Sequence, residues 1–194
     1  MKLHHIALAT ALLAAHLSAA DPAPKQKSNV WVAEAMPGLR VGEKAVPFTL
    51  KNAAGKAVAL AELLQRGPVA LVFYRSADWC PFCKKQLQNL QKDLKDIEAA
   101  GVQLIGISYD APATTAAAAT KLGLTFPLLS DEGSKTIDAF GIRNTEAKGK
   151  SAGVPHPVVF IVDRAGVIRA KLMRDGYRER PESAEIIAAA KGLK

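Results

Sequence analysis

The sequence holds two cysteines, and both fall in Trp79-Cys80-Pro81-Phe82-Cys83. A pair so close can form an internal disulfide and exchange it with an external dithiol or disulfide. A purely structural bridge closing this loop would contribute only about 2 kcal/mol by the chain-entropy relation. A zinc site needs four ligands, and no second cysteine pair exists to complete one. The residue types therefore favour dithiol/disulfide chemistry carried by Cys80 and Cys83 themselves, with no metal and no other cofactor expected.

The flanking residues give the two thiols different positions. Residues 69–74, Val-Ala-Leu-Val-Phe-Tyr after Gly67-Pro68, read as an apolar strand. Downstream, Cys83, Leu87, Leu90, Leu94 and Ile97 recur at helical spacing, predicting one helix that runs through Ile97 and stops at Gly101. Cys83 is in phase with that stripe and should face inward. Cys80 precedes Pro81, a residue favoured at the first helical position, so Cys80 falls at the cap. Unpaired N–H groups and the positive end of the helix dipole stabilise a thiolate there. Lys84 and Lys85 add positive charge, and such thiols fall from about 8.5 to roughly 3.5–7.5. Cys80 is thus read as the attacking sulfur at the open end of the helix, and Cys83 as the resolving one.

The opening of the chain predicts export. Lys2 precedes an apolar run at 6–17, and Ser18-Ala19-Ala20 offers small residues for cleavage, which together read as a signal peptide over 1–20. The run is too short for a spanning helix, so no stable membrane insertion is expected after cleavage. Cleavage would also remove His4, His5 and His16 and leave His156 as the sole histidine. Residues 21–38, with Pro22 and Pro24, read as a flexible leader in which Trp31 is a packing anchor, and 39–194 as one α/β domain. The net charge of +8 is scattered rather than clustered, which argues for solubility and a mild pull toward anionic partners, not for nucleic acid.

The remaining elements follow in order. Residues 46–50 and 58–60 flank Asn52-Ala53-Ala54-Gly55 as a β-hairpin, and a short helical turn at 61–65 precedes the central strand. A second buried strand is predicted at 102–108, a helix at 114–122, a short extended piece at 126–129 and a short helix at 134–140. Residues 144–153 read as a polar loop. A hairpin at 158–163 and 167–172 and a helix at 182–193 close the chain.

The stretch Phe73-Tyr74-Arg75-Ser76-Ala77-Asp78-Trp79-Cys80-Pro81-Phe82-Cys83 resembles the thioredoxin superfamily, and within it the redoxin branch of alkyl hydroperoxide reductase/thiol-specific antioxidant (AhpC/TSA) and peroxiredoxin-like proteins. Val41-Gly42-Glu43-Lys44-Ala45-Val46-Pro47-Phe48-Thr49-Leu50 resembles that branch's opening strand, and Phe126-Pro127-Leu128-Leu129-Ser130-Asp131 with Phe140-Gly141-Ile142 resembles its inserted segment. Tyr177-Arg178-Glu179-Arg180-Pro181 is similar to a peroxiredoxin-like subset. The resemblance implies a thioredoxin-like α/β fold, a central mixed sheet flanked by helices, with the hairpin as an N-terminal extension.

For function it implies two chemistries. Peroxiredoxins carry Thr or Ser three residues before the peroxide-attacking cysteine and an Arg ahead of a later strand. Aligned so, Cys83 takes the peroxidatic place, while Cys80 and Pro157 stand where the hydroxyl and the guanidinium would be. Thioredoxins have two cysteines and a cis proline at these points, which predicts a cis Pro157 beside the disulfide and a substrate strand pairing with the His156 backbone. His156 is either a tuner of the Cys80 thiolate or a loop residue. Tyr74 stands where thioredoxins often carry a buried carboxylate. The reading is an exported, periplasmic or secreted, thiol-disulfide oxidoreductase, with Trp79, Pro81, Phe82, His156 and Pro157 binding substrate or tuning the cysteines. Its partners would be a protein or small-molecule disulfide or peroxide and a separate redox protein. The alternative is a peroxiredoxin-like thiol peroxidase with an antioxidant role, for which Arg75 or Arg178 would supply the missing peroxide contact, although both read as surface arginines. A binding module that has merely kept the fold is the third reading.

Overall fold

All five residues of the strand ahead of the cysteines are buried, which requires cover on both faces of its sheet. The computed structural model describes residues 36–193 and shows how that cover is built. The predicted signal peptide and most of the predicted leader, Trp31 included, lie outside the described residues. In chain order the elements are β1 (Thr49–Asn52), β2 (Ala57–Ala59), α1 (Leu60–Arg66), β3 (Val69–Phe73), α2 (Pro81–Lys92), α3 (Leu94–Ala99) and β4 (Gln103–Ser108). Then come α4 (Pro112–Leu122), β5 (Leu128–Ser130), α5 (Lys135–Ala139), β6 (Val158–Val162), β7 (Ile168–Met173) and α6 (Ser183–Lys191).

The strands make one seven-stranded sheet in the order β2-β1-β5-β4-β3-β6-β7. β3 pairs in parallel with β4, and β4 with β5, whereas β6 runs antiparallel to β3 and hairpins to β7. The β1–β2 hairpin joins the sheet through β5 rather than standing apart. This is the thioredoxin-like α/β fold expected from the sequence, with the cysteine-bearing helix leaving the central strand.

Period-two alternation sorts β3 between two cores. Ala70, Val72 and Tyr74 point into a core shared with Cys80, Cys83, Leu87, Leu90, Ile97 and Ile186. Leu71 and Phe73 point the other way, toward Leu63, Ile137, Phe140 and Phe160. There Phe73, Phe140 and Phe160 stack with centroids 5.0, 5.4 and 6.0 Å apart. Lys171, only 5% exposed, donates from Nζ to the carbonyls of Met36 and Gly38 at 3.1 Å each. These bonds tie residues at the end of the predicted leader to β7, and burial pushes the ammonium pKa down.

Several element ends shift by two or three residues, and the helix predicted to run from the cysteines through Ile97 is two helices. The apolar stripe through Ile97 is divided between α2 and α3, because Asp93 leaves helical geometry at φ −97°, ψ 10°. Leu94 and Ile97 remain buried in the same core, so the spacing identified the buried face without revealing the break.

Gly106 in β4 leaves room for the side chains of Leu128 and Tyr74 that close over it. A Cβ there would lie 2.6 Å from Leu128 Cδ2 and 3.2 Å from Tyr74 Cε1. Gly106→Ala is expected to destabilise the fold by about 1–3 kcal/mol through overpacking. A urea midpoint equal to that of the unmodified protein would contradict this contact.

Candidate active site

Past β3 the chain keeps one more sheet bond, from Tyr74 N–H to the Ile107 carbonyl at 3.0 Å, and then turns through residues 75–79. Asp110 at the end of β4 holds this turn: its Oδ2 accepts from Ala77 N–H at 2.7 Å and from Ser108 Oγ at 3.1 Å. Ser76 Oγ accepts the N–H of Asp78 at 3.0 Å. Burial raises the Asp110 pKa, opposed by the bonds from Ala77, Ser76 and Ser108. Tyr74 is fully buried, and burial likewise raises its phenol pKa. The position that corresponds to a thioredoxin-type carboxylate therefore holds a neutral phenol, and a buried acid near it is Asp110.

Cys80 occupies the N-cap of α2 with extended φ and ψ of −93° and 105°, and Pro81 follows in the first turn. Its Sγ accepts from Cys83 N–H at 3.3 Å. The two cysteines are joined as a disulfide with Cα atoms 5.3 Å apart. Cys83 faces the core, as its phase predicted. Cys80 departs from expectation: it is 1% exposed beside 0% for Cys83, so the predicted open sulfur is covered.

The cover includes side chains distant in sequence. The Arg75 guanidinium carbon lies 4.8 Å from the Trp79 ring centroid and 4.6 Å from that of Tyr177. Phe82 meets Tyr177 edge to face at 6.0 Å. Arg180 Nη2 donates to Cys83 Sγ at 3.6 Å, and its Nη1 donates to the carbonyls of Tyr177 and Glu179. Burial, with a contribution from the Arg75 charge, pushes the Arg180 pKa down to about 10. The segment 174–182 is anchored to α6 by Arg174 Nη2 to Glu185 Oε1 at 2.5 Å and by the Glu182–Glu185 capping box. On the other side, Trp79 Nε1 donates to Tyr109 Oη at 3.0 Å, and Tyr109 Oη donates to the Lys150 carbonyl at 2.6 Å.

Several sequence expectations change here. Arg75 is not a surface arginine but half-buried between two rings, with its Nε buried and unpartnered. Arg178 is exposed, its guanidinium 5.8 Å from the Tyr177 ring. The guanidinium at the sulfur belongs instead to Arg180, within the Tyr177–Pro181 stretch, a contact for which the sequence carries no local signal. Pro157 is trans, not cis. Pro155 bridges Arg143, and Val158 begins β6 opposite Phe73, so the intervening segment feeds straight into the strand. His156 N–H already donates to the Ile142 carbonyl at 2.7 Å, so this half of its backbone is not free to pair with a substrate strand. Its half-buried imidazole has its pKa lowered by burial, and its charge interaction runs to Glu146. Among the described residues, no cluster of three or more His, Cys, Asp or Glu side chains could hold a metal ion.

The raised Asp110 pKa has a definite sign. The folded state holds this proton more tightly than the unfolded chain, so its stability contribution declines as pH rises from the ordinary carboxylate range through the raised value. Asp110→Asn keeps an acceptor for Ala77 N–H and removes the titration. Denaturant midpoints across the acid range should lose that declining component in the variant; an unchanged pH profile would contradict the assignment.

The AhpC/TSA family profile matches residues 41–171. A Mycobacterium tuberculosis protein bearing a peroxiredoxin name is 37% identical over 131 residues, 67% of this chain and 82% of its own. The thiol-disulfide oxidoreductase ResA of Halalkalibacterium halodurans is 31% identical over 142 residues, 73% of this chain and 72% of its own. The crystal structure of peroxidoxin BcpB from M. tuberculosis matches in fold at TM-score 0.71 and 22% identity, over 82% of this chain and 99% of that one. Sequence match, fold and paired cysteines agree: the chain belongs to the AhpC/TSA family and is an oxidoreductase of the group that contains peroxiredoxins and thiol-disulfide oxidoreductases.

Proposed function

We propose that this chain is an exported thiol-disulfide oxidoreductase that exchanges its Cys80–Cys83 pair with substrate disulfides. The observation that carries this reading is the bonded pair itself, with Cys80 at the cap of α2 and Cys83 one turn in. In the reduced chain the Cys80 thiolate draws on the helix N–H groups and dipole. It attacks one substrate sulfur and forms a mixed disulfide, and the departing thiolate takes a proton. Cys83, deprotonated in turn, attacks Cys80 and releases the second substrate thiol, so two electrons pass to substrate and the internal bridge closes. Because both cysteines are buried in the oxidised form, exchange requires local opening around the pair, and Arg180, which donates to the Cys83 sulfur, is one of the groups that must move.

Trp79, Pro81 and Phe82 frame the sulfurs, and Phe82, 36% exposed, offers an apolar contact to substrate. A separate redox protein would return the pair to its reduced form. Export rests on Lys2, the apolar run at 6–17 and the small residues at 18–20. N-terminal mass analysis of protein recovered outside the cytoplasm should give a mature chain beginning at Asp21; recovery of the intact N-terminus would contradict cleavage there.

A thiol peroxidase with an antioxidant role is the second reading, and Arg180 favours it specifically. Its Nη2 supplies a donor beside the sulfur that takes the peroxidatic place in the alignment. In that reaction a Cys83 thiolate attacks the peroxide, the alcohol or water leaves with a proton, and the resulting sulfenic acid condenses with Cys80 to give the disulfide and water.

Single-cysteine variants separate the readings. Under disulfide exchange, Cys80→Ser loses all turnover, and Cys83→Ser stalls as a mixed disulfide trapped on Cys80 and visible by mass. Peroxide consumption that survives in Cys80→Ser with an external thiol, and vanishes in Cys83→Ser, would instead establish the peroxidase.

A further inference from the structure

A groove of about 560 Å³ runs away from the disulfide between α2 and the start of α6. Its floor includes Phe82, which lies between the cysteines, Gln86, which lies one turn beyond Cys83, and Arg180, which touches the Cys83 sulfur. Gln86 is 6% exposed, and its Oε1 is buried without a donor. Arg180 Nε is buried without an acceptor. A buried acceptor and a buried donor without protein partners, on two residues that line one groove, match a ligand that brings both an N–H and an anionic oxygen.

The charge of the groove points the same way. Lys85, Lys92 and Arg178 line it with Arg180, against the carboxylates of Asp93 and Glu182. Glu182 is engaged in the capping box of α6. None of the ion pairs among the described residues involves any of the four cations. From Phe82 to Asp93 the groove follows α2 for about 16 Å at 1.5 Å per residue, enough for a short peptide, since three extended residues span roughly 10 Å.

We infer that this groove binds an anionic, cysteine-containing short peptide, the class of low-molecular-weight thiols and their disulfides. An amide or ammonium N–H of the ligand meets Gln86 Oε1, a carboxylate meets Arg180 with Lys85 and Arg178 around it, and the ligand sulfur lies toward Phe82 and the cysteine pair. This names the substrate class for the exchange reaction proposed above and rests on that reading. Reduction of one such disulfide takes two electrons from the Cys80 and Cys83 thiols. It releases two ligand thiols, which carry the two protons, and leaves the internal bridge. Arg180 then has two roles in sequence: it covers the Cys83 sulfur when the groove is empty and turns to the carboxylate when the groove is filled.

Binding can be measured apart from the chemistry, on the full oxidised protein, with S-methylglutathione, whose blocked sulfur cannot exchange. By calorimetry the free acid should bind at least about tenfold more tightly than its diethyl ester. That margin should narrow in about 0.5 M salt, where charge attraction is screened. Gln86→Leu, which keeps an apolar side chain on the buried face, should weaken the free acid by about tenfold. Equal affinities for acid and ester, no binding of either, or a Gln86→Leu variant that binds like the unmodified protein would each overturn the inference. Turnover of the neutral disulfide bis(2-hydroxyethyl) disulfide without S-methylglutathione binding would sink the groove and leave the exchange reaction standing. Binding as described without reduction of any disulfide would uphold the groove as an anionic-peptide site and sink the exchange reaction.

Discussion

At the start of α2 the unpaired backbone N–H groups meet a sulfur where most helices present an oxygen, Cys83 N–H donating to Cys80 Sγ. That cap places one cysteine at the electropositive end of a helix and the other one turn in, within bonding reach. It holds only if the chain arrives from β3 in a single conformation. The buried Asp110 carboxylate provides this by gripping Ala77 N–H, and Pro81 starts the helix without needing a donor of its own. The sheet beneath, buried on both faces, gives the turn a rigid base.

Two cations are held near this sulfur pair without an ion-pair partner among the described residues. Arg75 lies between the rings of Trp79 and Tyr177, where the aromatic faces supply the attraction that a carboxylate would otherwise provide. Arg180 is partly desolvated and repelled by Arg75, which accounts for its lowered pKa. The anchor that keeps it in place is remote from the chemistry, the Arg174–Glu185 pair joining the segment to α6. Positive potential is thus concentrated where a thiolate, a peroxide oxygen or a substrate carboxylate would stand. This is why two related chemistries remain compatible with one site.

Most of the fold was legible along the chain because its signals are local. The continuous apolar run before the cysteines, the helical stripe after them and the Arg164-Ala165-Gly166 turn between two β-favouring runs each name an element without reference to any other. Local signals do not report where a single residue departs from the geometry its neighbours favour. Asp93 breaks the helix although the stripe passes through it, because side-chain period reports the buried face and not backbone continuity. Pro157 shows the limit of resemblance: the alignment implied a cis bond, and the extended course from the Arg143–Pro155 bridge into β6 carries a trans one.

The sequence by itself determined the closely spaced cysteine pair, the order of the two sulfurs along the helix and the strand that leads into it. All of these depend on residues within a few positions of each other, where spacing is geometry. Only the tertiary structure decided what stands over the sulfurs. Arg180 lies 97 residues from Cys83 along the chain, and Tyr177 is similarly remote from the Phe82 ring it meets. Contacts of that span are set by how β7 and α6 return across the sheet, a packing outcome that no local pattern of residue types encodes.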